Sequence, residues 1–202
     1  MRKKILNLPN KITLLRIFLT FVIIFLLLFP LGMAKINLPK VFINEKIIVD
    51  TKYLIAGVLF LIASFTDFLD GYIARSRNMI TNFGKITDAI ADKVLVNSVL
   101  IILACQSRIN PIIPVIIITR DTIVDSIKMM ASKNGVIQAA IKSGKIKTLC
   151  MMSGITLTFF YNLPFELIGL GVDQMLLFIA CVLSIISCIQ YYTLNKEFIF
   201  EK

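Results

Sequence analysis

Residues 64–95 read SFTDFLDGYIARSRNMITNFGKITDAIADKVL, and four aspartates interrupt a pattern that otherwise predicts apolar helix. They are Asp67, Asp70, Asp88 and Asp92. An ionised carboxylate in apolar surroundings destabilises a fold strongly unless a partner compensates its charge. Four of them within one short stretch therefore indicate a site that binds something positively charged.

The spacing of these aspartates predicts two helical stripes. Residues three and four apart share one side of a helix, which gives one stripe of Asp67, Asp70 and Ala74 and a second of Gly84, Asp88 and Asp92. The polar, basic segment 76–83 between them predicts a turn. We expect an antiparallel helix pair whose acidic stripes face each other.

Converging carboxylates repel one another, and divalent cations offset that repulsion most simply. The chain contains no His, and no Cys lies near the aspartates. Oxygen-only ligation favours Mg²⁺, Mn²⁺ or Ca²⁺ over Zn²⁺. The small residues Gly71, Ala74 and Gly84 would let a backbone or a ligand come close.

The composition predicts a polytopic membrane protein. Of the 202 residues, 57% are hydrophobic and the mean hydropathy is +0.86, which excludes an ordinary soluble domain. A single domain over 1–202 is expected. The net charge of +10 suits an anionic lipid surface and does not require nucleic acid. The four cysteines sit in apolar runs, which favours buried thiols over a disulfide framework.

Hydrophobic runs of about 20 residues can cross a bilayer, and they predict an all-α, six-helix membrane bundle. The six predicted spans are 12–33, 53–74, 83–105, 109–130, 148–170 and 175–194. Before them, residues 1–11 predict a short interfacial helix with a break at Pro9 and Asn10, or alternatively a cluster of charges that sets topology. Segment 35–52 reads as an outer loop without chemistry.

The distribution of Lys and Arg predicts the orientation. Six spans place both termini on one side, and sixteen basic residues fall on that side against five on the other. Positively charged segments remain in the cytoplasm. We therefore expect a multi-pass protein of the cell membrane, with both termini and the aspartate pair facing the cytoplasm.

A second group of charges predicts an anion site. Arg120 and Lys128 are two helical turns apart in the fourth span, and Lys145 and Lys147 precede the fifth, after a loop with Gly144 as a breaker. These four cations could converge on a phosphate. The alternatives are an i,i+3 pair of Asp125 with Lys128 and lysines that extend to lipid headgroups.

The aspartate pattern resembles a known family. Asp67-x-x-Asp70-Gly71-x-x-Ala74-Arg75, eight residues, then Gly84-x-x-x-Asp88-x-x-x-Asp92 is similar to the full signature of the CDP-alcohol phosphotransferases. The resemblance implies metal-assisted transfer of a phosphoryl group with two Mg²⁺ or Mn²⁺ ions on the four aspartates. It also implies that Asp92 is the general base and that the chain forms a homodimer. Its implied contacts with the CDP-lipid include Gly71, Arg75, Thr81 and Gly84.

Two further segments resemble the bacterial phosphatidylglycerophosphate synthases within that family. The first runs from Asn7 to Arg16. The second combines Arg120-Asp121 and Lys128 with the later run Gly144-Lys145-Ile146-Lys147-Thr148. This resemblance implies CDP-diacylglycerol as donor, sn-glycerol 3-phosphate as acceptor and the lipid bilayer as surroundings. It places Asn10 and Thr13 at the CDP-lipid. It also implies that the acceptor phosphate is bound by Arg16, Arg120, Lys128, Lys145 and Lys147.

The match departs from the family pattern at three positions. Asp121 replaces the usual Glu, Lys128 replaces the usual Arg, and Ala89 stands where many relatives have Pro. A guanidinium fork is not equivalent to an ammonium point charge. Other acceptors stay open, namely serine, inositol phosphate or phosphatidylglycerol. Outside the family, a divalent-cation transporter would also place acids in a membrane, although inverted repeats and broken helices are not evident.

Overall fold

The computed structural model describes residues 8–29, 40–43, 47–76, 82–133 and 141–199. It confirms the prediction of an all-α chain with six long helices. In chain order the elements are α1 (Leu8–Leu28), β1 (Lys40–Ile43), β2 (Ile47–Asp50), α2 (Thr51–Ser76), α3 (Asn82–Cys105), α4 (Ile112–Lys133), α5 (Lys142–Phe159), a short 3₁₀ helix (Phe165–Ile168) and α6 (Val172–Ile199).

The first of two compact units comprises Met1–Ile102 and Phe159–Tyr161. Within it α1 packs against α2. The ring of Phe60 on α2 lies 5.7 Å from that of Phe159, and a Cβ at Gly57 would lie 2.8 Å from the Cβ of Phe159. Only glycine allows this close packing of the chain against α2.

The second unit comprises Leu103–Thr158 and Asn162–Lys202. Here α4 packs against α6. Asn162 is buried and organises the connection to α6, because its side-chain amide donates to the carbonyl of Leu170 (2.6 Å) and its Oδ1 accepts from the backbone N–H of Asp173 (3.2 Å). This fixes where α6 begins.

A short antiparallel hairpin stands where we expected an outer loop. β1 pairs with β2 from Lys40 opposite Asp50 to Ile43 opposite Ile47. The strands, KVFI and IIVD, are rich in β-branched residues, which favour extended backbone. The phenolic oxygen of Tyr161 accepts the backbone N–H of Asp50 (2.7 Å), so the end of the hairpin is tied to its own unit.

Two helix boundaries differ from the prediction. The expected break at Pro9 and Asn10 is wrong, because α1 begins at Leu8 and runs through both; proline is well tolerated in a first helical turn. Residues 1–7, the first part of the segment predicted as an interfacial helix, lie outside the described part. The fifth helix is Lys142–Phe159, so Gly144 lies within a helix instead of breaking it. It ends before Tyr161 and Asn162, whose φ angles of 56° and 53° are incompatible with a right-handed helix.

The surfaces of two helices indicate a membrane protein. Among the described helices, the stretches Asn10–Leu28 and Val172–Lys196 are long and apolar enough to cross a bilayer, and only 28% and 33% of these stretches are buried. Phe18, Phe21 and Phe25 on α1 are all exposed. Exposed apolar surface of this extent is stable in contact with lipid rather than water.

Candidate active site

The buried side of α1 changes from apolar to polar along its length. Leu27 and Ile23 are buried near its C-terminal end, and the next buried positions toward the N-terminus are Thr20, Arg16, Thr13 and Asn10. Their spacing of three or four residues places them on one stripe of the helix. A stripe of polar groups inside an apolar unit marks this end of α1 as part of a site.

Arg16 joins the two acidic stripes. Its side chain is fully buried, and its Nη1 atom lies 2.5 Å from Oδ1 of Asp67 and 3.0 Å from Oδ1 of Asp88. Because both carboxylate oxygens bind the same nitrogen atom, they lie close to each other. The structure thus brings together one aspartate from α2 and one from α3, as the sequence pattern predicted for the two stripes.

The carboxylate side chains of this pair are partly exposed. The side chains of Asp67 and Asp88 are each 43% exposed, whereas that of Arg16 is 0% exposed. The guanidinium group is thus enclosed by protein, whereas both carboxylate side chains are partly exposed. Convergent, partly exposed oxygen donors suit Mg²⁺ or Mn²⁺, which bind through one or two carboxylates and substrate phosphates. The chemistry of the donor set therefore fits the expected ions.

Other predicted site residues are placed in less detail. Asp92 is exposed on α3, four residues after Asp88, and Gly71 and Gly84 are partly exposed. Asp70 and Arg75 belong to α2, but their side chains lie outside the described part. Thr81 and the rest of the predicted turn, 77–81, lie outside it too. Among the described residues no group of three or more acidic or Cys side chains forms a metal cluster.

The second unit contains a separate cluster of charges around Asp121. Its Oδ1 accepts a hydrogen bond from Nη1 of Arg120 (2.7 Å), and its Oδ2 accepts one from Nζ of Lys147 (2.8 Å). Lys147 is 3% exposed, so this lysine is not one that extends to lipid headgroups. Asp121 holds two of the predicted acceptor-side cations in one place.

Helix α6 fixes the remaining nitrogens of Arg120. Its Nε donates to the backbone carbonyl of Ser184 (3.2 Å), and its Nη2 donates to Oγ of Ser187 (2.6 Å). Both serines are fully buried. Neither serine was among the predicted site residues, although polar residues on the buried stripe of an apolar helix are a readable signal.

Tyr191 supports two cations through its ring. Nζ of Lys128 lies 4.8 Å from the ring centroid, and Cζ of Arg120 lies 5.8 Å from it. Tyr191 follows Ser184 and Ser187 on the same stripe of α6 and is 2% exposed. The remaining predicted cation, Lys145, is exposed on α5 and makes no described ion pair. The structure therefore links three of the four acceptor-side cations within the second unit.

The charge balance of this cluster favours an anionic ligand. Arg120 and Lys147 share the carboxylate of Asp121, and Lys128 joins them through the ring of Tyr191. With Asp125, which lies one helical turn after Asp121 on α4, this region holds three cations and two carboxylates and keeps one formal positive charge. A phosphate monoester carries about −1.5 to −2 charges at neutral pH, so it is attracted to this excess of positive charge.

Comparison with known proteins decides the family. The chain matches the CDP-alcohol phosphatidyltransferase family over residues 6–186. The chain belongs to this family. The matched range includes the polar stripe of α1, the four aspartates and Asp121, whereas Tyr191 lies beyond its last residue. The resemblance seen in the aspartate pattern is thereby confirmed.

Three relatives of this CDP-alcohol phosphatidyltransferase family member share one name. A protein of Bacillus subtilis is 36% identical over 95% of this chain and 96% of its own length. A protein of Rickettsia typhi is 31% identical over 95% of this chain and 98% of its own length. A protein of Mycoplasma genitalium is 43% identical over 53% of this chain and 45% of its own length. Each is named CDP-diacylglycerol–glycerol-3-phosphate 3-phosphatidyltransferase.

Proposed function

We propose that this chain is a phospholipid-biosynthetic enzyme that transfers the phosphatidyl group of CDP-diacylglycerol to sn-glycerol 3-phosphate, giving phosphatidylglycerophosphate and CMP. The observation that carries the proposal is that Asp67 and Asp88, both partly exposed, bind the same nitrogen atom of Arg16 in a member of this family. The names of relatives that match nearly the whole chain supply the donor and the acceptor.

The aspartates supply the metal site and the base. Asp67, Asp70, Asp88 and Asp92 would hold two ions, Mg²⁺ or Mn²⁺, which when bound neutralise the diphosphate of the CDP-lipid and stabilise the departing CMP. Asp92 accepts the proton of the acceptor hydroxyl as that oxygen attacks the β-phosphorus. A new P–O bond forms there as the bond to CMP breaks.

Arg16 orients the carboxylates of Asp67 and Asp88. The resemblance to the family placed it at the acceptor phosphate, but its described contacts are with the two metal-site aspartates. A buried guanidinium group restricts these carboxylates to one geometry through charge-assisted hydrogen bonds. It also limits their mutual repulsion before the ions bind. We therefore propose that Arg16 supports the metal site.

The CDP part of the donor is bound by small and polar residues around the aspartates. The lack of a side chain at Gly71 and Gly84 lets the nucleotide approach the helices, and Arg75 and Thr81 supply a positive charge and a hydroxyl group. Asn10 and Thr13 share the buried stripe of Arg16 on α1, which supports a role beside the same substrate. These assignments follow the family pattern residue by residue.

The phosphate of the acceptor is bound by Arg120, Lys128, Lys145 and Lys147. The surplus positive charge of the cluster around Asp121 supports an acceptor with its own phosphate. A zwitterionic acceptor such as serine would not need it. Inositol phosphate would, so it is the acceptor against which glycerol 3-phosphate has to be compared directly.

The proposed setting is the cytoplasmic membrane. A six-helix membrane bundle, with both termini and the site on the cytoplasmic side, would keep the acyl chains of the donor in lipid and its nucleotide in water. The outward apolar surfaces of α1 and α6 support membrane insertion, and the positive charges on the side of the termini support the orientation. The proposed assembly is a homodimer, by resemblance to the family.

The function is tested by CMP release from purified protein. The protein is incubated with CDP-diacylglycerol and Mg²⁺ or Mn²⁺, and with glycerol 3-phosphate, serine, inositol phosphate or phosphatidylglycerol in separate reactions. We expect release with glycerol 3-phosphate. Release only with another acceptor would refute the substrate, and Mn²⁺ flux into proteoliposomes without any CMP release would favour a transporter.

A further inference from the structure

The ring of Tyr191 is the one aromatic surface that the described part of the second unit offers to its charge cluster. Lys128 Nζ and Arg120 Cζ lie 4.8 Å and 5.8 Å from the ring centroid, within the range of about 6 Å in which a cation is attracted to the electron-rich face of an aromatic ring. The ring is buried on α6, and both cations belong to α4.

The ring differs chemically from Asp121, the other group that binds Arg120. Asp121 binds Arg120 and Lys147 with a full negative charge, so it cancels part of the attraction that the cations offer to an anion. An aromatic ring attracts cations through its quadrupole and carries no net charge. Tyr191 can therefore gather two cations without reducing the positive charge that a phosphate meets.

We propose that Tyr191 is a positioning residue for the acceptor phosphate, an inference that rests on the proposed function. The ring of Tyr191 presents Lys128 beside Arg120 as a preorganised cationic pair. A long lysine side chain loses considerable rotamer freedom when it binds a ligand, and the ring restricts that freedom in advance. This selects acceptors that carry a dianionic phosphate.

The hydroxyl group of Tyr191 has a different task from the ring. It accepts a hydrogen bond from the backbone N–H of Ile141 (3.2 Å), the residue just before α5. The first N–H groups of a helix have no partner within the helix. The hydroxyl thus stabilises the start of the helix that carries Lys145 and Lys147. Removing the hydroxyl and removing the ring should have separable effects.

Steady-state kinetics of CMP release separate the two tasks. Tyr191→Leu should raise the KM for glycerol 3-phosphate about tenfold, the effect of losing a partly desolvated cation–π contact, with the KM for CDP-diacylglycerol unchanged. Tyr191→Phe should lower the melting temperature and leave the KM for glycerol 3-phosphate within about twofold, because the ring persists. The matched control is Tyr192→Leu, since Tyr192 is the exposed neighbour on the same helix.

A fluorination series covers the case in which Tyr191→Leu does not fold. Mono-, di- and trifluorinated phenylalanine at position 191 keep the shape of the ring and progressively weaken its quadrupole. We expect the KM for glycerol 3-phosphate to rise with each fluorine, which a purely packing role would not produce. An unchanged KM across the series, in protein that still releases CMP with glycerol 3-phosphate, overturns the role of Tyr191; no CMP release by the unaltered protein overturns the proposed function instead.

Discussion

The Nη1 atom of Arg16 lies 3.0 Å from Oδ1 of Asp88, and the same atom also binds Asp67. One fully buried cation on α1 thus holds a carboxylate from α2 and another from α3. Helix α1 is an apolar, membrane-capable helix, and a buried arginine there requires anionic partners. Arg16 and the two aspartates are therefore mutually dependent parts of one site.

The first prediction concerns Arg16 in metal-free protein. Arg16→Met keeps the length of the side chain but leaves Asp67 and Asp88 without their shared counter-charge, so we expect the metal-free protein to lose up to about 3 kcal/mol of stability. Added Mg²⁺ should restore stability, because a ligand that binds only the folded state stabilises it. Thermal unfolding with and without Mg²⁺ measures both effects. An equal melting temperature for both metal-free proteins would mean that the contacts are unimportant.

The second prediction concerns the base. Asp92→Asn keeps the size of the side chain but cannot accept the proton of the acceptor, so we expect kcat to fall by about 10²- to 10⁴-fold. Nucleotide binding should survive, which titration with CDP measures. Full activity of this variant would remove Asp92 from the general-base role.

The third prediction concerns the buried pair of Asp121 and Lys147. Asp121→Asn leaves Lys147 buried with its charge uncompensated, which should cost about 3 to 5 kcal/mol of stability. The double variant Asp121→Asn, Lys147→Met removes that charge and should be more stable than Asp121→Asn alone. A double-mutant cycle on unfolding in detergent measures the coupling. Additive effects would show that the two side chains do not depend on each other.

The fourth prediction concerns Lys145, which is exposed on α5. Lys145→Ala should raise the KM for glycerol 3-phosphate more than the KM for CDP-diacylglycerol, because the lysine is proposed to bind the phosphate of the acceptor. Lys142→Ala removes another exposed lysine of the same helix and is the control. If both KM values stay at those of the unaltered protein, Lys145 does not belong to the acceptor site.

The sequence predicted much of the fold and the core of the site. Runs of apolar residues located the six helices, and helical periodicity placed Asp67 and Asp88 on stripes that could meet. Both patterns can be read from a short stretch of sequence, because a buried face and the helical repeat are visible within one or two turns. The hairpin of β1 and β2 was missed, since two strands of four residues are too short to show a pattern beside longer helices.

The contacts of Arg16 and Tyr191 could not be predicted in the same way. Whether Arg16 reaches Asp67 depends on how α1 is rotated against α2, and whether Tyr191 reaches Lys128 depends on how α6 is rotated against α4. Side-chain packing between helices far apart in the chain sets these rotations. The contact of Ser187 with Arg120 could not be predicted for the same reason.

The central claim is that Asp67 and Asp88 together hold divalent ions, and Mn²⁺ titration followed by electron paramagnetic resonance tests it most directly. The purified, metal-free protein and its Asp88→Asn variant are titrated in parallel, with Asp173→Asn, an aspartate of the second unit, as control. We predict saturable Mn²⁺ binding by the unaltered protein and the control and a loss of at least about tenfold in affinity for Asp88→Asn, as for removal of an important group at a metal site. Equal Mn²⁺ affinity for Asp88→Asn and the unaltered protein would contradict the account.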